Sequence, residues 1–267
     1  MKARVISAAV MIALVIVCFA LGPLTRAIFL LAVAVMAIWE VCRAIGLKNV
    51  KCVATVLYIY AAVTALQLWF GVNYHALALF LAVFAIMTVA VTDKDVRGPG
   101  GIATCGIIAY PLFPIAIIFK IALMENDIWI PVFVVGCVST WVCDSFALFG
   151  GKRFGKTKLA PEVSPHKTVE GSVCGAISSI ITGIILYFIL RIWFDVSFVY
   201  CTLTALICSS FGQVGDLAAS IIKRWAGLKD YSNLIPGHGG VMDRIDSLLF
   251  SIPTAYYCFV YAIFFGA

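Results

Sequence analysis

Charge is scarce in this sequence. Lys, Arg, Asp and Glu together make up 12% of its 267 residues, about half the share of an ordinary soluble domain. That scarcity excludes a soluble enzyme as the default reading. The cysteines show no C-x-x-C pair, and Cys18, Cys105, Cys137, Cys143, Cys174, Cys201, Cys208 and Cys258 all sit in apolar runs. Such thiols behave as small apolar residues, so neither a disulfide framework nor a zinc site is expected. Low-complexity linkers, a separate soluble domain and a clear internal repeat are also missing. The net charge of +6 is spread over short loops rather than gathered on one soluble face. Nucleic acid is therefore not an expected partner.

What the sequence has in abundance is hydrophobic residues, at 63%. Nine apolar segments lie near 5–22, 27–42, 53–71, 75–92, 102–119, 128–150, 172–194, 197–222 and 247–265. In hydrocarbon the backbone must bond to itself, so each is expected to be a helix. The first, with its basic start, reads as an uncleaved helix rather than a signal peptide. The expectation is an all-α polytopic membrane protein with about nine transmembrane helices in one integral membrane domain, 1–267. In it, 1–140 supplies N-terminal spans that add only hydrophobicity, and 141–267 supplies the working spans and loops.

Orientation follows from Lys and Arg. Grouping the N-terminus with the loops after spans two, four, six and eight puts sixteen basic residues on one side. Only Arg26, Lys120 and Arg191 fall on the other. The N-terminus is therefore expected in the cytoplasm. Two loops on that side, 151–171 and 223–246, are long and polar, and function is expected there.

Three carboxylates fall inside apolar segments, where an ionisable group is costly and usually faces a partner or a wet cavity. Glu40, near the inner end of the second segment, can reach the interface. Asp144 lies in "WVCDSF", and Asp216 in "GQVGDLAASIIKR". Asp216, Ser220 and Lys223 stand at i, i+4 and i+7, so one helix face carries a carboxylate, a hydroxyl and an ammonium. Lys229 follows, then "IPGHGG", whose Pro and glycines suggest a tight turn with N–H groups open to phosphate. Asp243 and Asp246, flanking Arg244, are expected to project on one side at the start of the last helix.

Oxygen ligands among cations suit Mg²⁺ shared between carboxylates and a phosphorylated substrate, as one ion or a two-metal centre. Asp216, Asp243 and Asp246 are the candidate metal ligands. Lys223, Arg224 and Arg244 are the candidate phosphate contacts. The bland alternative, charges that pair with one another to mark a membrane boundary, does not call for a Gly-rich turn and three acids. His238 is as well suited to a structural role as to that of a general base. The other loop contains a formal phosphate-loop match, Gly150 to Gly155-Lys156-Thr157, but a membrane helix precedes it and no strand–loop–helix context is expected. Its cluster of Ser164, Lys167, Thr168 and Glu170 suits an anionic headgroup or a nucleotide triphosphate.

The segment "SIIKRWAGLKDYSNLIPGHGGVMDRID", residues 220–246, resembles the signature of the CDP-diacylglycerol synthase family, also called phosphatidate cytidylyltransferases. The agreement covers its Ser, Lys-Arg, Lys-Asp, Pro, His-Gly-Gly and Asp-Arg-x-Asp positions. "WVCDSFALFGGKRFGKTKLAPEVSPHKTVEG", residues 141–171, resembles the family's other cytosolic stretch. The resemblance implies Mg²⁺-dependent transfer of CMP from CTP to phosphatidate, within the bilayer of a bacterial inner membrane, at a site facing the cytoplasm. It leaves a homodimer open as the assembly. It implies metal binding by Asp216 and Asp243, with Ser220, Lys223 and Asp246 beside them. Ser164, Lys167 and Thr168 would help bind substrate with Asp144 lining the cavity, and Arg224, Lys229, His238, Gly239, Gly240 and Arg244 belong to the same substrate site. The chain departs from the family pattern at Ala219, where Glu is usual, and at His166, Val169 and Cys174. Two rival readings are a CTP-dependent polyprenol or phytol kinase, which would release CDP rather than pyrophosphate, and a transporter, which would call for midplane broken helices.

Overall fold

The computed structural model describes residues 2–124 and 127–264, with side chains described for 6–124 and 127–260. Lys2 and Arg4, part of the basic count, have no described side chains, and the expected last span runs past the described residues at 265.

Each of the nine apolar segments becomes helix. In order these are α1 (Lys2–Ala20), α2 (Pro23–Gly46), α3 (Ala54–Trp69), α4 (His75–Thr92), the pair α5 (Pro99–Ile107) and α6 (Phe113–Ala122), α7 (Trp129–Phe154), α8 (Val169–Leu190), α9 (Phe198–Ala226) and α11 (Leu248–Phe264). A four-residue helix, α10 (Met242–Ile245), precedes the last one. Among the described residues six helical stretches are long and apolar enough to cross a membrane, while α1 and α3 are shorter apolar helices. The fold is an all-α polytopic membrane architecture.

The fifth segment differs from expectation. A π-helical turn, Ile108–Leu112, joins α5 to α6 around Pro111. Proline lacks the N–H that would continue the α-helical ladder, which is why the run bends here.

The polar loop 151–171 is also more ordered than expected. Helix α7 runs on through Gly150–Phe154, so the phosphate-loop match is helical at its start. Two strands follow, β1 (Lys158–Ala160) and β2 (Ser164–Thr168), paired antiparallel. Thr168 then caps α8, its Oγ1 accepting from Gly171 N at 3.1 Å, which satisfies one of the free amides of the first turn. Glu170 Oε2 accepts from Lys156 N at 3.0 Å and Glu170 Oε1 from Thr157 N at 3.1 Å. The hairpin is thereby fastened to the helix it precedes.

By backbone contacts the chain forms two compact units, Met1–Leu123 with Ile222–Arg244, and Met124–Ile221 with Ile245–Ala267. In the first, Ile38, Val41, Leu57, Ile86, Ile107 and Ile121 are fully buried or nearly so. Arg26 Nη1 donates to Ala122 O at 2.8 Å, placing a guanidinium at the carbonyl end of α6, the favourable end of the helix dipole. On the loops, Lys51 Nζ pairs with Asp93 Oδ2 at 3.1 Å. The Asp95 N–H and that lysine hold the Asp93 carboxyl below the usual carboxylate range. In the second unit α7 and α8 pack closely. Gly171 and Gly175 of α8 face Ala147, Gly151 and Cys143 of α7, and Gly150 faces Cys174. Small residues one turn apart let two helices approach closely where lipid supplies no hydrophobic drive between them.

Candidate active site

The first unit holds residues 222–244 of the signature segment. Helix α9 ends at Ala226, where Arg224 Nη1 donates to Leu228 O at 3.0 Å and Leu228 N to Lys223 O at 2.8 Å. Gly227 takes φ +78, the left-handed conformation that commonly ends a helix and that glycine adopts without a Cβ penalty. The chain then folds through 228–241 with one isolated bridge, Ile235 to Gly239.

Lys223 and Asp243 meet in this fold. Lys223 Nζ donates to Asp243 Oδ1 at 2.7 Å, with the two side chains 9% and 2% exposed. Asp243 Oδ2 accepts from Tyr231 N at 2.8 Å and from Gly240 N at 2.9 Å. The ammonium also lies 5.5 Å over the Tyr231 ring, within the range of a cation–π contact. Three donors on one buried carboxylate make a rigid mount for the lysine charge.

Glu40 is the second buried carboxylate of this unit and is fully enclosed. Its Oε1 accepts from Ser232 Oγ at 2.6 Å and Val241 N at 2.9 Å, and its Oε2 from Met242 N at 2.7 Å. A Cβ on Gly240 would collide with this carboxylate, and one on Gly239 would fall 2.9 Å from Asp243 Oδ2. From α1, Ser7 Oγ donates to Pro236 O at 3.0 Å and lies 2.8 Å from His238 Nδ1.

These contacts correct two expectations. The N-terminal helices do more than add hydrophobicity, because α1 and α2 hold the signature turn through Ser7 and Glu40. The amides of 238–242 are also not open to phosphate. Those of His238 and Gly239 go to Ile235 O, that of Gly240 to Asp243, and those of Val241 and Met242 to Glu40. Sequence reasoning had the signal for Glu40, a carboxylate inside an apolar helix, but no means of finding a partner about two hundred residues away. Ser7 carried no signal at all.

A third expectation changes as well. Asp243 lies on α10, whereas Asp246 lies in the break between α10 and α11, so the two do not share one face of the last helix. Asp246 Oδ1 accepts from Ser247 N at 2.7 Å. Arg224, Lys229 and Arg244 are exposed.

The second unit carries the other cluster. Lys167, on β2, forms an ion pair with Asp216 Oδ2 on α9; the two side chains are 25% and 29% exposed. Asp144, on α7, lies within electrostatic reach of both. Thr168 is buried as the α8 cap, and Ser164 is half-buried at the opposite end of β2. Ser220 is buried one turn beyond Asp216 on α9. Ala219, the departure from the family's usual Glu, is fully buried. Nearby, Gln213 on α9 donates from Nε2 to Cys143 Sγ of α7 at 3.2 Å, and its Oε1 accepts from Ser172 Oγ of α8.

Residues 2–262 match the family model described as Cytidylyltransferase family. The chain belongs to this family. Relatives of the cytidylyltransferase family that it resembles include a phosphatidate cytidylyltransferase of Bacillus subtilis (strain 168), 44% identical over 121 residues, 45% of this chain and 44% of the relative. One from Staphylococcus haemolyticus (strain JCSC1435) is 42% identical over 113 residues, 42% of this chain and 43% of the relative. One from Rickettsia felis (strain ATCC VR-1525 / URRWXCal2) is 33% identical over 156 residues, 57% and 67%. The alignments thus span less than half the length of the first two relatives.

Within this cytidylyltransferase fold the donor chemistry can be tested against a divalent metal. Among the described residues no group of three or more His, Cys, Asp or Glu is arranged to hold a metal ion. Mg²⁺ does not need one, since it commonly takes one or two carboxylates plus substrate phosphate oxygens. Asp216 fits that pattern in being partly exposed with Asp144 nearby, provided the Lys167 ammonium on its Oδ2 gives way. Asp243 fits only if the Lys223 ammonium leaves Oδ1, because its oxygens are otherwise taken.

Proposed function

We propose that this protein transfers CMP from CTP to phosphatidate, forming CDP-diacylglycerol and pyrophosphate in phospholipid biosynthesis. The observation that carries the reading is the buried Lys223–Asp243 pair, mounted by the signature turn in a chain whose family is cytidylyltransferase. It fixes a cation near the end of α9, an apolar helix.

In this reading CTP comes from the cytoplasmic side and phosphatidate stays in the adjoining leaflet of the inner membrane. Lys223 and Lys167, with the exposed Arg224, Lys229 and Arg244, bind and orient phosphates. The ionised phosphatidate oxygen attacks the α-phosphorus in line, a P–O bond forms to it, and the bond to the β-phosphate bridge breaks to release pyrophosphate. Positioning and charge stabilisation supply the rate, and no strong base is required of His238. Mg²⁺, as one ion or two, would neutralise the triphosphate, with Asp216, Asp243 and Asp246 each proposed as an oxygen ligand. A homodimeric assembly belongs to the same proposal.

The test is purified protein in detergent with CTP, phosphatidate and Mg²⁺, assayed for pyrophosphate and liponucleotide. Equimolar formation of both, stopped by EDTA, is expected. CDP release without pyrophosphate would instead identify a lipid kinase.

A further inference from the structure

We infer that Glu40 is a positioning residue for the transfer reaction, acting from α2 on the turn that presents Lys223 and Asp243. The inference rests on the proposed cytidylyl transfer and names a residue outside both signature segments.

A carboxylate inside an apolar helix needs a reason to be there, because an unpaired one is costly. Glu40 is fully buried, and none of the ion pairs among the described residues includes it. Its partners are three donors: the Ser232 hydroxyl, Val241 N–H and Met242 N–H. All three belong to the segment between Lys223 and Asp243. Glu40 therefore stabilises a particular path of that segment rather than a neighbouring charge.

The path matters because Asp243 immediately follows Met242. The Met242 N–H is held at 2.7 Å and the Val241 N–H at 2.9 Å. These two bonds set the direction in which the chain enters α10, and hence where the Asp243 carboxylate points. On the other side, Asp243 takes the Gly240 and Tyr231 amides. The amides of residues 240, 241 and 242 are thus divided between two carboxylates, Asp243 on one face and Glu40 on the other. Gly240 sits between them with no room for a Cβ. Ser232, next to Tyr231, ties the far strand of the same turn to Glu40. Lys223 Nζ is then located by Asp243 Oδ1 and the Tyr231 ring, both of which the Glu40 contacts hold in place.

Glu40 does not meet substrate in this scheme. Its effect is on the accuracy of the Lys223–Asp243 mount, and small displacements of such groups are expensive to catalysis. Gln at this position is nearly isosteric but replaces one acceptor oxygen by an NH₂ group. That group must face Met242 N–H, or else Ser232 and Val241, so at least one bond is lost and two donors oppose each other.

The experiment compares parent and Glu40→Gln in detergent by two measurements. The first is hydrogen–deuterium exchange over peptides covering 229–245. The second is steady-state turnover with CTP and phosphatidate. Faster exchange is expected in 229–245 and not in α7–α8, with kcat lowered about tenfold to a hundredfold and KM for CTP moved less than about threefold, since the exposed phosphate contacts are intact. Ser232→Ala removes one of the three bonds and should change both readouts in the same direction by less. It serves as the deciding variant if Glu40→Gln does not reach the membrane. Unchanged exchange over 229–245 overturns the inference, and so does faster exchange with an unchanged kcat. If the parent makes neither pyrophosphate nor liponucleotide, the proposed function fails on its own. The positioning role for transfer then falls with it, and the exchange data still decide whether Glu40 orders the turn.

Discussion

At Asp243 a single carboxylate accepts from an ammonium and two amides, with 2% of its side chain exposed. Asn at this position keeps the size but removes the charge and one acceptor. Breaking a buried pair by altering one partner typically costs about 3–5 kcal/mol, because the remaining charge stays buried. Asp243→Asn is therefore expected to lower pyrophosphate release at least a hundredfold while the protein still inserts into membranes. Turnover near the parent value would count heavily against a role for the pair in the reaction. Gly240→Ala addresses the same mount sterically. The added methyl overlaps the Glu40 carboxylate, and overpacking of this kind costs about 1–3 kcal/mol. A lower unfolding midpoint in detergent, with a matching loss of turnover, is the expected result. At this scale the sequence put Lys223 and Asp243 in one short, polar and locally readable signature, but as a phosphate contact and a metal ligand, not as the ion pair they form. It did not show where the turn's amides point. Glycines at 237, 239 and 240 suggested open N–H groups, but those of Gly239 and Gly240 go to Ile235 O and Asp243, the next two go to Glu40, and no local pattern encodes a contact across 202 residues.

Among the elements, helices were legible because a continuous apolar run in a membrane has one solution for its backbone. The hairpin was not. Strands of three and five residues with the sequences KLA and SPHKT lack alternation over a useful length, and Pro165 argues against a central strand. What stabilises them is the attachment of Glu170 to the Lys156 and Thr157 amides. The hairpin carries Lys167 to Asp216. Because both side chains are about a quarter exposed, loss of the pair should alter stability by no more than about 1 kcal/mol. Binding of a triphosphate should suffer more, as a hydrogen bond to a charged group contributes about 1.5–3 kcal/mol. Lys167→Ala is thus expected to raise KM for CTP roughly tenfold with little change in the thermal midpoint. An unchanged KM would remove Lys167 from the substrate contacts. The α7–α8 pair makes a separate prediction. Gly175 lies against Cys143, and a Cβ there would come within 2.7 Å of Cys143 Sγ and 2.9 Å of its carbonyl oxygen. Backbone cannot yield as a flexible side chain does, so Gly175→Leu should force α7 and α8 apart. Sharply lower recovery of folded protein in detergent is the expected outcome.

For the molecule as a whole, the charge count assigns every loop to one of two sides, and the contacts inside the first unit agree with the assignment. Lys51 and Asp93 join the loops after the second and fourth segments. Ser7 joins the N-terminal helix to His238 in the loop after the eighth. Arg26 and Ala122 join two places on the opposite side. Each pair falls within one side, whereas a missed or extra span would have set some of them apart. The expectation that the Lys- and Arg-rich side is cytoplasmic rests on that excess of basic residues. Epitope insertion tests it in both units. A short epitope between Pro161 and Glu162, in the turn of the hairpin, should be reached by antibody in inverted vesicles and not in intact spheroplasts. One between Val72 and Asn73, in the α3–α4 connection, should show the reverse. The physical stake is access to CTP, a charged solute of the cytoplasm that does not cross the bilayer unaided. If the hairpin epitope were exposed on intact spheroplasts, Lys167 and Asp216 would face a compartment without that substrate, and the proposed reaction would have no supply.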